Sequence, residues 1–225
     1  MKKPIPQVLK VQTLFILAIA SMAIFSSCKK DDIAPTSSPT SITTQINNFP
    51  IEPLSDNEVS SLIFMREEEK LAHDVYTTLY NVWGVNIFNN IAASEQTHTN
   101  SVLTLLNKYE LTDPVGTNAV GVFSDSTLQS LYTQLVSQGS SSLMEGFMVG
   151  ATIEDLDIYD LNNWALEIDN QDISFVYDNL NKGSRNHLRS FYSQIISSGG
   201  TYSAQFISQA DFDLIVNSPN ETGSW

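Results

Sequence analysis

The chain is poor in the residues that most often carry chemistry. Among 225 residues there are one cysteine and three histidines, and 11 lysines and arginines face 25 acids. A lone cysteine, Cys28, excludes an internal disulfide. The net charge of −14 argues against nucleic acid as a partner, because phosphate contacts are made largely by Lys and Arg. No glycine-rich phosphate loop follows a strand-like run, and no serine nucleophile with an ordered histidine and acid is apparent. Nucleotide-binding and hydrolase readings therefore find no support. No repeat recurs at a fixed period. Long apolar runs are also missing, with one exception at the N-terminus.

That exception is LFILAIASMAIFSSC, preceded by Lys2, Lys3 and Lys10. Its apolar part runs about a dozen residues, short of the roughly 20 that a membrane span needs, and has the layout of a signal peptide. Its end, IFSSC, resembles the lipobox of bacterial lipoproteins, with Phe25 where Leu is commonest. The resemblance implies cleavage before Cys28 and lipid on its thiol and new amino terminus. Each buried methylene then contributes about 0.8 kcal/mol to membrane anchoring. The KKDD that follows is similar to the charged signal that sends some lipoproteins of the Bacteroidetes type to the cell surface. The expectation is a signal peptide over 1–27, a Ser/Thr/Pro-rich tether over 28–52, and one domain over 53–225. The protein would be lipid-anchored in the cell envelope, at the outer membrane and exposed on its surface. Loss of residues 1–27 removes three lysines and no acids, leaving a charge of −17.

Beyond residue 53 the apolar residues recur at helical steps. From Ser55, with Asp56 and Asn57 also able to cap, a helix to about Trp83 carries the stripe Leu62, Met65, Glu69, Ala72, Tyr76, Leu79 and Trp83. Glu69 is inside the stripe. Glu67 is off it and expected in solvent, while Glu68 shares a neighbouring stripe with Phe64, Leu71 and Val75. A second helix, 86–109, aligns Ile91, Glu95, His98, Val102 and Leu105. A short helix over 127–136 belongs to a connection, and a third long helix, about 143–166, aligns Phe147, Gly150, Glu154, Asp157, Leu161, Trp164 and Ile168. A fourth, 171–197, aligns Ile173, Val176, Leu180, Ser184, His187, Phe191 and Ile195, and a short helix over 204–216 follows. The predicted fold is all-α, a four-helix bundle with ferritin-like connectivity, a long crossover and short extra helices.

The polar residues on the stripes point to a metal. Carboxylate-bridged di-metal bundles take one Glu from each of two helices and a Glu-x-x-His from each of the other two. This chain offers Glu69, then Glu95 with His98, then Glu154, then Ser184 with His187. The sixth ligand is replaced by serine, and Asp157, a turn after Glu154, is a candidate to restore the carboxylate. Acids on a core stripe need compensation, from a metal or from arginine. Arg66, Arg185 and Arg189 lie beside the same motifs and are the alternative partners. His73 is expected outside the centre. Tyr76, Tyr159, Tyr177, Trp83 and Trp164 are read as core rather than as an electron relay.

The segments MREEEKLAHDVY, FNNIAASEQTH, IEDLDIYDL and NLNKGSRNHLRSF resemble those of the DUF2202 proteins, placed with the ferritin-like superfamily. The resemblance covers about 55–215, with His73 where the family usually has Arg. Rubrerythrin-like proteins place Ala three residues and Tyr seven residues after a liganding Glu. Glu69, Ala72 and Tyr76 match that spacing, which favours Glu69 over its two neighbours. The expected metal residues are thus Glu69, Glu95, His98, Glu154, Asp157 and His187, holding iron, two ions, with manganese an equal fit to oxygen and imidazole donors. The expected chemistry is oxidation of ferrous iron or reduction of peroxide or dioxygen. Ser184 motivates a second reading, a binding or structural lipoprotein with one metal or none. Weak capture of cations by the acidic exterior is a third. Homo-oligomerisation is left open.

Overall fold

The computed structural model describes residues 41–223, and all the helices and turns within them are free of strand. The proposed signal peptide, Cys28 and most of the tether lie outside the described residues. Seven helices are found among the described ones: α1 (Ile42–Asn48), α2 (Asp56–Trp83), α3 (Asn86–Lys108), α4 (Ser126–Gly139), α5 (Leu143–Trp164), α6 (Gln171–Ser197) and α7 (Gln209–Val216). None is long and apolar enough to cross a membrane.

The ends of α2 show why the chain folds where it does. Ser55 and Glu58 form a reciprocal capping box, in which the Ser55 hydroxyl accepts from the Glu58 amide and Glu58 accepts from the Ser55 amide at 2.8 Å. At the other end Gly84 takes φ 65°, a left-handed conformation that glycine adopts without strain, and the chain turns at once into α3. Helix α2 packs along α3, α5 packs along α6, and α3–α6 and α2–α5 contacts join the two pairs. The connection from α3 to α5 carries α4, which packs on both α2 and α5. It therefore crosses over the outside of α2.

That crossover corrects the expectation for Glu67. The residue is buried, its two carboxylate oxygens accepting from the backbone amides of Ser124 at 2.5 Å and Asp125 at 2.9 Å. Arg66 reaches Asp113 on the same connection at 2.9 Å, and Asp74 accepts from the Gly121 amide at 2.8 Å. A charged face that would be solvated on an isolated helix is covered here by residues 109–125.

The folded region also begins earlier than 53. Residues Ile42, Ile46 and Phe49 occur at helical spacing within the polar composition that suggested a tether. Ser41 caps α1, Ile46 is fully buried, and α1 lies on α3 and α6. Lys108 fixes its far end by donating to the carbonyls of Ile46 and Phe49, both at 3.0 Å.

The apolar core comes in two parts. One contains Ile46, Leu62, Met65, Val102, Leu105, Leu161, Val176 and Leu180. The other contains Leu71, Tyr76, Leu79, Phe88, Phe147, Phe191 and Ile195. On α2 the switch from one to the other falls between Met65 and Leu71, on α3 between Ala92 and Val102, and on α6 between Leu180 and Leu188. What fills those gaps is polar.

Candidate metal centre

The gaps bring Glu69 of α2, Glu95 and His98 of α3, Glu154 of α5 and His187 of α6 together. Among the described residues, Glu69, Glu95 and His98 form one group whose ligand atoms lie within 4.8 Å of one another, and Glu95, Glu154 and His187 form a second. Glu95 belongs to both. Its Oε2 lies 2.6 Å from His98 Nδ1 and its Oε1 lies 2.7 Å from His187 Nδ1. Glu69 Oε2 approaches His98 Nδ1 at 3.2 Å, and Glu154 Oε2 approaches His187 Nδ1 at 3.4 Å. The two imidazoles stack at 5.5 Å between centroids, each turning Nδ1 to the acids. Spacing on α3 explains part of this, because residues three apart on a helix share a face.

Around this layer, other side chains fix orientation. Tyr76 donates its hydroxyl to Glu154 Oε1 at 2.5 Å. His187 Nε2 lies 3.0 Å from Ser94 Oγ, so the nitrogen remote from the acids is held by a neighbour, as metal-binding histidines usually are. Gly183 leaves room for the His98 ring: a Cβ there would sit 2.5 Å from His98 Cε1 and 2.6 Å from Nε2. Ser184 does not replace the missing carboxylate by pointing at the acids, for its hydroxyl donates to the Leu180 carbonyl at 3.2 Å.

Of these close approaches, that between His98 Nδ1 and Glu69 Oε2 has hydrogen-bond geometry. Glu69 Oε1, Glu95 Oε1, Glu154 Oε2 and His187 Nδ1 are buried and have no hydrogen-bond partner among the described residues. The arginines do not compensate them. Arg66 is taken by Asp113 and Thr99, Arg185 by Glu221 and Asn181, and Arg189 by Glu221, Ser218 and the Ile215 carbonyl. Buried carboxylates without cationic partners cost several kcal/mol each, so three sharing one pocket call for compensation, from protonated His98 and His187 or from a metal in their place. Oxygen and imidazole donors converging with free lone pairs fit a divalent transition metal.

The electrostatics agree. Burial pushes the Glu69 carboxyl up to about 7 against the pull of His98, with Glu95 adding repulsion. Burial likewise raises Glu154, with Glu95 contributing. Burial opposes charge on His187, yet Glu95 and Glu154 outweigh it and raise the imidazole to about 10. His98 is raised well above the usual range, because Glu95 and Glu69 overcome the effect of burial. Glu95, facing both rings, is held low against its own burial by His98 and then His187. This is a tightly coupled pocket of acids and imidazoles whose protons a metal would displace.

Asp157 is buried but belongs to neither three-residue group. His73 bonds Asp74 at 3.0 Å, beside the crossover and away from the centre. Glu68, on the neighbouring stripe with Phe64, Leu71 and Val75, is buried, and burial and the Asp160 carboxyl within hydrogen-bonding reach hold its own carboxyl well above the usual range. Ser94 and Gly183 carried no signal in the stripe pattern, because their contribution is a small atom at a contact rather than a donor. Gly183 could have been noticed as a glycine tolerated deep inside a long helix.

Helices folded around a buried carboxylate and histidine cluster define the class: an all-α protein with a candidate metal-binding centre. The chain belongs to the DUF2202 family, whose model, described as an uncharacterized protein domain, matches residues 58–219. It is similar to the uncharacterized protein MJ0754 of Methanocaldococcus jannaschii, with 51% identity over 178 residues, 79% of this chain and 96% of that protein. It also resembles the crystal structure of hypothetical protein MJ0754 from Methanococcus jannaschii, with a TM-score of 0.76 at 51% identity, over 77% of this chain and 99% of that one.

Proposed function

We propose that the four long helices are a ferritin-like bundle around a di-metal centre, with iron the favoured metal and redox chemistry the activity. The observation that carries this reading is Glu95, shared by two Glu/Glu/His groups in which Glu69 Oε1, Glu95 Oε1, Glu154 Oε2 and His187 Nδ1 have no hydrogen-bond partner among the described residues. One ion would be held by Glu69, Glu95 and His98 and the other by Glu95, Glu154 and His187, Glu95 being common to both groups. The helix order, with a crossover between the second and third long helices, supports the bundle assignment.

A bound pair of iron ions would supply the electrons that reduce peroxide or dioxygen, so that ferrous iron is oxidised. The chain's own part is to hold and shield that centre. The two apolar clusters on either side limit access of bulk water, Tyr76 fixes Glu154, and Ser94 fixes His187. At the N-terminus, the lipobox-like IFSSC supports an envelope lipoprotein anchored through Cys28. Incorporation of labelled palmitate by the intact protein, lost in Cys28→Ala, tests the anchor.

Anaerobic titration with ferrous iron, followed by dioxygen or peroxide, tests the centre. Two tight ions per chain and oxidation on exposure are expected. Absence of tight binding overturns the reading. Ser184 favours a second one, a non-catalytic binding protein holding a single ion, which the same titration reports as a stoichiometry of one without oxidation.

A further inference from the structure

Two buried acids next to the centre are not used by it. Glu68 and Asp157 are each 1% exposed, Oδ2 of Asp157 lacks a hydrogen-bond partner among the described residues, and neither acid faces a base. After burial, the charge that acts most strongly on Asp157 is that of Glu68, ahead of Glu154, Glu69 and Glu95. The Tyr177 hydroxyl feels the Glu68 and Glu69 charges but gives its proton to Ser61 at 3.0 Å. The remaining group at Glu68 is the Asp160 carboxyl, within hydrogen-bonding reach and itself an acid, so no base neutralises the pair.

The pair also has a direction. On α5 the acids Glu154, Asp157 and Asp160 recur every three residues, with a rise of about 4.5 Å per step along one face. Glu154 is fully buried and Asp160 is half-buried, so the row runs from the centre outward. Asp160 opens onto a surface cavity of about 400 Å³, lined also by Phe64, Trp164 and Glu167 and by no basic residue. Glu68 follows Phe64 by one turn on α2, so that both walls lead from the cavity inward. A groove of one charge sign with apolar walls concentrates cations.

We propose that Glu68 and Asp157 form a separate cation-binding position, through which divalent metal entering at Asp160 passes to the centre. It rests on the metal reading above and adds to it a third, weaker site and a route. The position holds its ion by two carboxylates without imidazole, so it binds and releases more readily than the Glu95 groups.

The test uses anaerobic Co2+ as a redox-silent probe on the full chain, with equilibrium dialysis for the number of ions and stopped-flow absorption for the loading rate. The wild type is expected to take a third, weaker equivalent. Glu68→Gln and Asp157→Asn should lose that equivalent, keep the tight ones, and load at least about tenfold more slowly. Asp160→Asn, at a half-exposed position that tolerates substitution, should slow loading while retaining all three. Unchanged ion number and rate in Glu68→Gln overturns the proposal, as expected if the pair merely shares a proton. Loss of the tight equivalents in Glu68→Gln, with helicity by circular dichroism intact, overturns it too by making Glu68 a ligand of the centre. Failure of the underlying metal reading has another signature, namely no tight ion in the wild type and no change in Glu95→Ala.

Discussion

Glu154 and Asp155 are neighbours in sequence, both wholly buried, and they do opposite things. Asp155 accepts from the Tyr202 hydroxyl at 2.9 Å and from the amides of Gln205 at 2.5 Å, Phe206 at 3.3 Å and Ile207 at 2.9 Å, tying the segment after α6 to α5. Glu154 faces His187 and Tyr76, and its Oε2 has no hydrogen-bond partner among the described residues. The same contrast recurs on α2 between Glu67, which holds the crossover, and Glu69, which faces His98. Burial alone therefore does not mark a metal ligand. What separates the two sets is the partner: backbone amides that make a carboxylate comfortable in one, and other acids and imidazoles in the other.

The contrast is broken most sharply at Glu95. Glu95→Ala should lower metal affinity at least about 100-fold, since even a side chain that only orients a ligand is worth 10–100-fold. Isothermal titration with Co2+ checks it, and urea denaturation in a chelator should show lowered stability as well, because His98 and His187 lose the carboxylate that faces both of them. Asp155→Ala should act on stability alone. It strands backbone amides in the interior, so the urea midpoint should fall by an amount equivalent to about 3 kcal/mol while metal stoichiometry stays at the wild-type value.

A third comparison is in the sign of pH dependence, measured with a chelator present. Glu69 has a folded pKa of about 7, above its unfolded value, so the stability tied to its proton is complete below about 4.5 and is lost as pH rises to about 7. Asp113, held low on balance by Arg66 and the Val115 amide against its partial burial, contributes in the opposite sense, and its stability is lost on acidification. Glu69→Gln should flatten the fall between pH 5 and 7 by on the order of 1–3 kcal/mol, read from urea midpoints at each pH. A smaller effect is expected from Gly183→Ala, whose methyl must displace the His98 ring. Its Co2+ affinity should drop about tenfold with α-helix content unchanged.

The centre was legible in sequence because its residues interrupt apolar stripes. Glu69, Glu95, His98, Glu154 and His187 each occupy a position where helical spacing demands a core side chain, and packing the four helices brings them into one layer. The long helices were legible for the same reason. The capping acids were not, since their partners come from loops far along the chain: Ser124 is 57 residues from Glu67, and Gln205 is 50 from Asp155. Periodicity describes one helix at a time and says nothing of which face a later loop covers. Helix α1 was hidden by composition, because three apolar residues in a polar segment suffice once α3 and α6 supply the rest of the contact.

Ser184 has a consequence in simple charge counting. With its hydroxyl turned to Leu180, the two Glu/Glu/His groups contain three carboxylates between them, Glu69, Glu95 and Glu154. Two divalent ions, as proposed above, would bring four positive charges to those three negative ones. A symmetric centre with a fourth carboxylate would be neutral, whereas this one would carry a surplus of one positive charge in a low-dielectric interior. Such a loaded pocket would favour an anionic companion and resist further loss of electrons, so a single serine in α6 would tune both what can enter and how readily the centre gives up charge.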